Sequence, residues 1–122
     1  MTTIKSYTDI EQSKVLAKIL PTESADMWYE DVGLMIPRLG SIPKEHTDTE
    51  VPCWSLAALL NILHSKEKDI PSLSGGGYKD GKYISDWCLD YEFDDGGYEK
   101  TFANNPLDAC YETILKSHKL NL

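Results

Sequence analysis

Alternation of large apolar and acidic residues between positions 83 and 94 constrains the fold of this 122-residue chain most strongly. Five apolar residues occupy odd positions: Tyr83, Trp87, Leu89, Tyr91 and Phe93. Four carboxylates occupy even positions: Asp86, Asp90, Glu92 and Asp94. Because successive side chains of a strand point to opposite faces, the pattern predicts a β-ribbon with one apolar face and one acidic face.

Turn signals on either side of this ribbon predict its neighbours in a sheet. Asp80-Gly81 is a strong signal for a two-residue hairpin turn, so the stretch before it, from Pro71 to Ser74, is expected to contribute a short strand. Gly96 and Gly97 follow the ribbon and predict a second turn, after which residues 98–103 return as a partner strand. Strands joined in this way form an antiparallel sheet.

Three helices are predicted around the sheet. Thr8 and Glu11 have the spacing of a capping box, and an apolar stripe follows, with Pro21 as its end. Pro52 is expected to open a second, buried helix, since proline is favoured in the first turn. Asn105 is expected to cap a third helix with Pro106 in its first turn.

These elements predict an α+β fold, in which about three helices pack on one face of a small antiparallel sheet of three to five strands. Met27-Trp28-Tyr29 is expected to begin a strand, and residues 34–36 a short extended piece within the otherwise unpredicted stretch 33–51. A chain of this length is expected to form a single domain, residues 1–122.

The charge balance argues against several classes of partner. Twelve basic residues against twenty acidic residues give a net charge of -8. Phosphate backbones and anionic membranes are bound by clustered Lys and Arg, so neither nucleic acid nor a membrane surface is expected as a partner. The apolar stretch 51–64 is too short to cross a bilayer, and no signal sequence is readable at the N-terminus. A cytoplasmic protein is therefore expected.

The three cysteines, Cys53, Cys88 and Cys110, do not have the spacing of a disulfide framework or of a zinc site. No metal or cofactor is expected. Cys53 is a conceivable nucleophile if a helix begins at Pro52, because a helix N-terminus lowers the pKa of a thiol. His64 would lie about three helical turns away, which is too far to act as its base, whereas the sequence does not constrain the positions of His46 and His118. An enzyme is thus the less favoured class, and no catalytic residue is assigned.

Two functions from different classes remain open. The leading hypothesis is a non-enzymatic protein-interaction module whose acidic residues meet a basic protein surface: Asp86, Asp90, Glu92, Asp94, Asp95 and Glu99. The alternative is a small-ligand-binding protein or small hydrolase with an aromatic pocket: Trp28, Tyr29, Trp54 and Trp87, with Cys53 at its edge. A homo-oligomer, such as a homodimer, is a third hypothesis.

Four segments together resemble a family of short uncharacterised bacterial proteins that often occur in phage-derived or mobile regions. These segments are Tyr7–Lys14, Glu23–Met27, Val51–Leu60 and Asn105–Cys110. The likeness covers most of the chain except Asp31–Glu50, and its motifs are structural: caps, core positions and helix starts. The resemblance implies no catalytic residue. Its genomic setting implies a protein that binds or modulates other macromolecules, such as a phage-borne modulator.

Overall fold

The computed structural model describes residues 5–30, 37–40, 42, 49–64, 71–92 and 97–120. The described part contains three α-helices: α1 (Ile10–Ala17), α2 (Leu56–Leu63) and α3 (Pro106–Leu120). It also contains six strands: β1 (Met27–Glu30), β2 (Arg38–Leu39), β3 (Glu50–Cys53), β4 (Ser72–Lys79), β5 (Lys82–Glu92) and β6 (Tyr98–Ala103). The chain divides into two compact units, one of residues 6–58 and one of residues 59–122 with the N-terminal residues up to Lys5.

The unit of residues 6–58 is built on a three-stranded antiparallel sheet in the order β2-β1-β3. Met27 lies opposite Cys53, and Tyr29 lies opposite Val51. These four residues are buried together, and Ile10 of α1 packs against them. Burying a large apolar side chain stabilises the folded state by about 1.5–3 kcal/mol, so this cluster contributes to the stability of the sheet.

Helix α1 begins one residue later than the sequence predicts. Its N-cap is Asp9, whose carboxylate accepts from the backbone N–H of Gln12, while the Gln12 side chain accepts from the N–H of Asp9. The predicted capping pair, Thr8 and Glu11, is therefore wrong. Thr8 is fully buried and its hydroxyl is bonded to other groups, which leaves the exposed Asp9 to satisfy the helix terminus.

The second helix also begins later than predicted. Pro52 lies in β3, opposite Trp28, and α2 begins at Leu56. Proline lacks an N–H but is tolerated in an edge strand, and β3 is an edge of its sheet. Ser55 provides the start signal instead, since its hydroxyl accepts from the N–H of Ala58 at 3.1 Å. Helix α2 is buried at Leu59 and Leu63 and exposed at Ala57, so it is not buried on all sides.

The unit of residues 59–122 is built on a second antiparallel sheet, in the order β4-β5-β6. Helix α3 packs on β5 and β6. Asn105 caps α3, as predicted, and accepts from the N–H of Asp108 at 2.9 Å. The predicted apolar stripe is buried at Leu107, Cys110 and Ile114. The Asp80–Gly81 turn and the partner strand at 98–103 are likewise confirmed.

The predicted alternation along β5 holds over only part of the strand. Leu89 and Tyr91 are buried and Asp90 and Glu92 are more open, as expected. Tyr83 is exposed, so its predicted inward position is wrong. The reason is a shift of register: Gly77 pairs with Ser85 but Tyr78 pairs with Tyr83, so β5 has an additional residue, Ile84, between these pairs. Such an additional residue breaks the two-residue period.

The α+β class is confirmed. The strands of the described residues form two three-stranded sheets where one sheet was expected, and packing of all helices on one face is not confirmed. The alternation in sequence does not show whether the strands form one sheet or two. Phe93 and residues 34–36 lie outside the described residues. The single domain stays a prediction.

Candidate functional site

The end of the long β4–β5 hairpin is the most exposed apolar surface of its unit. Every residue from 78 to 84 is exposed. Three of them are large and apolar, with exposed fractions of 58% for Tyr78, 56% for Tyr83 and 50% for Ile84. These three side chains are therefore not covered by the described part of this unit. We call residues 78–84 the hairpin end.

Two tyrosines form an ordered pair at the hairpin end. Tyr78 and Tyr83 lie opposite each other, with ring centroids 5.8 Å apart and ring planes at 73°. This is an edge-to-face arrangement, which aromatic rings prefer. The Tyr83 hydroxyl donates to the carboxylate of Asp86, and this hydrogen bond raises the pKa of Tyr83. The two rings are thus held in place before any partner binds.

Charge is distributed unevenly along the same hairpin. Lys79 and Lys82 lie opposite each other beside the turn, and neither is in an ion pair with another described residue. Asp90 and Glu92 lie at the other end of β5. The hairpin is therefore basic at its turn and acidic at its opposite end.

The structure divides the predicted acidic contact residues. Glu92 ends β5 and lies opposite Tyr98. Asp90 forms an ion pair with Lys100 (3.4 Å), and Glu99 forms one with Lys116 (3.4 Å). Asp90 and Glu92 share one face of the sheet, whereas Glu99 lies opposite Tyr91 on the other. Asp94 and Asp95 lie outside the described residues. The run without Lys or Arg in sequence thus gains lysine partners from β6 and α3.

The residues of the predicted aromatic pocket are also divided. Trp87 belongs to the unit of residues 59–122, where it lies opposite Gly75 and Ala103. Trp28 is in the other unit and is half-buried beneath Arg38, whose guanidinium carbon is 5.3 Å from the ring centroid. Arg38 also pairs with Glu30 at 3.3 Å. Trp28 is therefore covered by a cation–π contact within its own sheet.

The other three predicted pocket residues, Tyr29, Cys53 and Trp54, are buried side chains with hydrogen-bond partners. The indole N–H of Trp54 donates to the hydroxyl of Ser24 at 2.9 Å. The Tyr29 hydroxyl donates to the carbonyl oxygen of Thr8 at 2.7 Å. Such contacts are typical of a satisfied core. The spacing of these residues in sequence does not distinguish this core from a pocket wall.

Cys53 does not lie at a helix start, so the proposed lowering of its pKa is wrong. It is the last residue of β3 and is fully buried. Burial raises the pKa of its thiol, and the hydrogen bond from Thr8 only partly opposes this. Burial also raises the pKa of Cys110, to about 12. Since the thiolate is the nucleophilic form, neither side chain is prepared for nucleophilic chemistry at neutral pH.

Among the described residues, no group of three or more His, Cys, Asp or Glu side chains is placed to hold a metal ion. No helix within the described ranges is both long and apolar enough to cross a membrane. The hairpin end therefore remains the candidate site.

Comparisons with family models, with curated proteins and with solved structures find no match for this chain. The resemblance to a family of short bacterial proteins accordingly stays a prediction. The alternation in sequence does not reveal the hairpin end, because it predicts that Tyr83 lies on the buried apolar face. One signal in the sequence could have revealed it. Tyr78-Lys79 and Lys82-Tyr83 are placed symmetrically about the Asp80-Gly81 turn, next to the turn and before the carboxylates of the alternating stretch.

Proposed function

We propose that this protein is a non-enzymatic protein-interaction module whose contact surface is the hairpin end. The observation that carries the proposal is the exposure, by half or more, of Tyr78, Tyr83 and Ile84 on one hairpin. Tyrosine is enriched in protein interfaces because it offers a large contact area and loses little side-chain entropy on binding. The edge-to-face contact of the two rings reduces that loss further.

Two lysines make the hairpin end suitable for a protein partner with acidic groups. Lys79 and Lys82 flank the turn with a single carboxylate, Asp80, between them. Nucleic acid is a weaker candidate, because two lysines contact few phosphates and the chain carries a net charge of -8. The role of phage-borne modulator, within this proposal, rests on the family resemblance alone.

The proposal is tested by quantitative capture of binding proteins on the immobilised full chain. The test variant is Tyr78→Ser/Tyr83→Ser, and the matched control is Tyr98→Ser, since Tyr98 is equally open (63% exposed) but lies on β6. A partner of the hairpin end is retained by the wild type and by the control, and its recovery falls at least tenfold with the double variant. Circular dichroism verifies that all three proteins are folded.

Equal recovery of every protein by the wild type and the double variant would exclude the hairpin end as the contact surface. A thermal-shift screen with nucleotides, sugars and divalent ions tests the small-ligand alternative. A ligand that binds only the native state raises the melting temperature, so no shift is expected for any of these compounds.

A further inference from the structure

The hairpin end extends past the third strand of its sheet. Strand β6 pairs with β5 only from Trp87 to Glu92, so residues 82–86 have no described strand on the side of β6. No described strand pairs with the outer side of β4 either. Beyond the pair of Gly77 with Ser85, the hairpin is therefore a ribbon of two strands. Such a ribbon is only marginally stable by itself in water, so its direction depends on contacts at the place where it leaves the sheet.

Three residues meet at that place: Gly77 of β4, Ser85 of β5 and Phe102 of β6. Gly77 and Ser85 lie opposite each other, and both are buried. A Cβ added to Gly77 would lie 2.7 Å from Cδ1 of Phe102 and 2.8 Å from Oγ of Ser85. Both separations are shorter than van der Waals contact, so glycine is the residue that leaves room for the ring and the hydroxyl. We call these three residues the joint.

Phe102 contacts a strand with which its own strand does not pair. The sheet has the order β4-β5-β6, and Phe102 lies opposite Cys88 of β5. Its ring nevertheless reaches Gly77 of β4. Next to this contact, the Ser85 hydroxyl donates to the carbonyl oxygen of Trp87 at 2.6 Å. The joint thus connects all three strands at one level of the sheet.

The backbone is irregular on the side of the joint that faces the turn. Gly76 has a φ of 80°, and Ile84 of β5 has no counterpart in the pairing with β4. An additional residue of this kind bends its strand and increases the local twist. The ribbon is therefore turned relative to the rest of the sheet, and the ring of Phe102 occupies the space beside Gly77.

A line of contacts leads from the joint to the exposed tyrosines. A Cβ added to Gly76 would lie 3.2 Å from Cε2 of Tyr78, so the Tyr78 ring lies against the backbone next to the joint. Tyr78 packs edge-to-face on Tyr83, and the Tyr83 hydroxyl donates to the carboxylate of Asp86. The positions of both rings therefore follow the position of the joint.

We infer that the joint holds the hairpin end at one fixed angle to the sheet, and that Gly77 and Phe102 are positioning residues of the contact surface. This inference rests on the proposed function, because the angle matters for binding only if the tyrosines contact a partner. A surface that is ordered beforehand loses less conformational entropy when a partner binds. Gly77 is buried, so it acts on the partner through the tyrosines.

Nuclear magnetic resonance of the full chain tests the fixed angle. Backbone order parameters of residues 78–84 are expected to be those of a rigid backbone, about 0.85. Residual dipolar couplings of these residues are expected to fit the same alignment tensor as residues 87–92 and 98–103. In Gly77→Ala the added Cβ displaces the ribbon, so the couplings of residues 78–84 are expected to depart from that tensor, while those of the other two segments still fit it.

Gly75→Ala is the matched control for Gly77→Ala. Both glycines lie in β4, and neither has a positive φ. They differ in space, because an added Cβ at Gly75 would have no heavy atom within 4 Å. The control is therefore expected to leave the couplings of residues 78–84 on the tensor of the sheet.

A variant of Phe102 changes the joint in the opposite sense. Phe102→Val removes the ring from Gly77 and keeps a residue that is suited to a strand. The ribbon then loses its support, so the order parameters of residues 78–84 are expected to fall below about 0.6. Gly77→Ala/Phe102→Val removes the closest atom to the added Cβ and is expected to return the couplings towards those of the wild type. These two variants also decide the question if Gly77→Ala alone does not fold.

Capture on the immobilised full chain tests the link to binding. A partner that is lost with Tyr78→Ser/Tyr83→Ser is expected to be recovered at least tenfold less with Gly77→Ala. Its recovery is expected to be unchanged with Gly75→Ala. Both glycine variants keep every side chain of the hairpin end, so a difference between them reports the position of that surface.

Order parameters below about 0.6 for residues 78–84 of the wild type overturn the inference, and so do unchanged couplings in Gly77→Ala. Unchanged recovery of a partner by a displaced hairpin end overturns the positioning role. The proposed function fails by a different result, namely that Tyr78→Ser/Tyr83→Ser retains every partner. That result removes the contact surface and with it the positioning role, whereas the couplings of Gly77→Ala still decide whether the joint fixes the angle.

Discussion

Thr8 and Cys53, 45 residues apart, are linked by two hydrogen bonds: the Thr8 hydroxyl donates to Sγ at 3.5 Å, and the thiol donates to the Thr8 carbonyl oxygen at 3.4 Å. The same threonine oxygen Oγ1 accepts from the backbone N–H of Trp54 (3.1 Å) and lies 2.7 Å from the Ser13 hydroxyl. One buried side chain thus connects the residue before α1, the helix itself and the end of β3.

Replacement of Thr8 is therefore expected to destabilise the protein. Thr8→Val keeps the volume but leaves the N–H of Trp54 and the hydroxyl of Ser13 without their partner. Each unsatisfied buried polar group costs about 1–3 kcal/mol, so for two such groups the free energy of unfolding measured by urea denaturation falls by about 2–6 kcal/mol. Thr8→Ser keeps the hydroxyl, so its free energy of unfolding is expected to fall by less than that of Thr8→Val. A larger loss for the serine variant would show that the methyl group, rather than the hydrogen bonds, matters.

The buried thiol of Cys110 predicts a loss of stability at alkaline pH. Burial raises its pKa to about 12 in the native state, whereas a thiol in an unfolded chain ionises near pH 8.5. The native state keeps the proton and the unfolded state releases it, so stability is unaffected below about pH 8.5. Above that pH the free energy of unfolding falls by about 1.4 kcal/mol per pH unit for this thiol.

Urea denaturation between pH 8 and pH 11 measures this slope. Cys110→Ala removes the thiol. Its free energy of unfolding is lower at every pH, but above about pH 8.5 it is expected to fall less steeply than that of the wild type, by about 1.4 kcal/mol per pH unit. Equal slopes for the variant and the wild type contradict the assignment.

The start of α2 predicts a capping effect at Ser55. Its hydroxyl accepts from the N–H of Ala58 and donates to the carboxylate of Asp26, which also accepts from the N–H of Ser55 at 2.9 Å. Ser55→Ala is expected to lower the free energy of unfolding by about 1 kcal/mol, the usual cost of losing an N-cap. Asp26→Asn retains an acceptor for the backbone N–H and is expected to cost less. Chemical denaturation of both variants checks the order.

The hairpin turn predicts different outcomes for two glycines in similar open space. No heavy atom lies within 4 Å of an added Cβ at Gly81 or at Gly75, but only Gly81 has a positive φ, of 78°. The two turn residues Asp80 and Gly81 both have positive φ, as a type I′ turn requires. Gly81→Ala is expected to lower the free energy of unfolding by about 1 kcal/mol.

Gly75→Ala is the matched control and is expected to change stability by less than about 0.5 kcal/mol. Thermal unfolding of the two variants separates the effect of backbone conformation from that of added volume. Equal losses would indicate that the positive φ at residue 81 carries no cost.

Local signals in the sequence were sufficient to predict a turn or a helix cap where the contacts that form it lie within a few residues. The Asp80–Gly81 turn depends on the backbone freedom of two neighbours, and the cap of α3 joins Asn105 to Asp108, three residues on. Both were predicted correctly. The caps of the other two helices were predicted wrongly because the deciding contact of Thr8 is 45 residues away, and because Pro52 can lie either in a helical first turn or in an edge strand.

The candidate site was decided by distant contacts. The acidic run between Asp86 and Glu99 contains no Lys or Arg, yet Lys100 and Lys116 meet two of its carboxylates in the folded chain. Next to residue 83 the alternation is interrupted, because Ile84 of β5 has no counterpart in the pairing with β4. A period in sequence does not reveal such a residue, because both strands are needed to define it.

Sequence by itself determined the α+β class of the chain, its acidic charge and the position of the Asp80–Gly81 turn, since these depend on composition and on neighbours in the chain. Tertiary structure alone decided which polar groups are buried and which tyrosines are exposed. Burial depends on which segments pack together. The free energy of that packing comes from contacts between residues that are far apart in the chain.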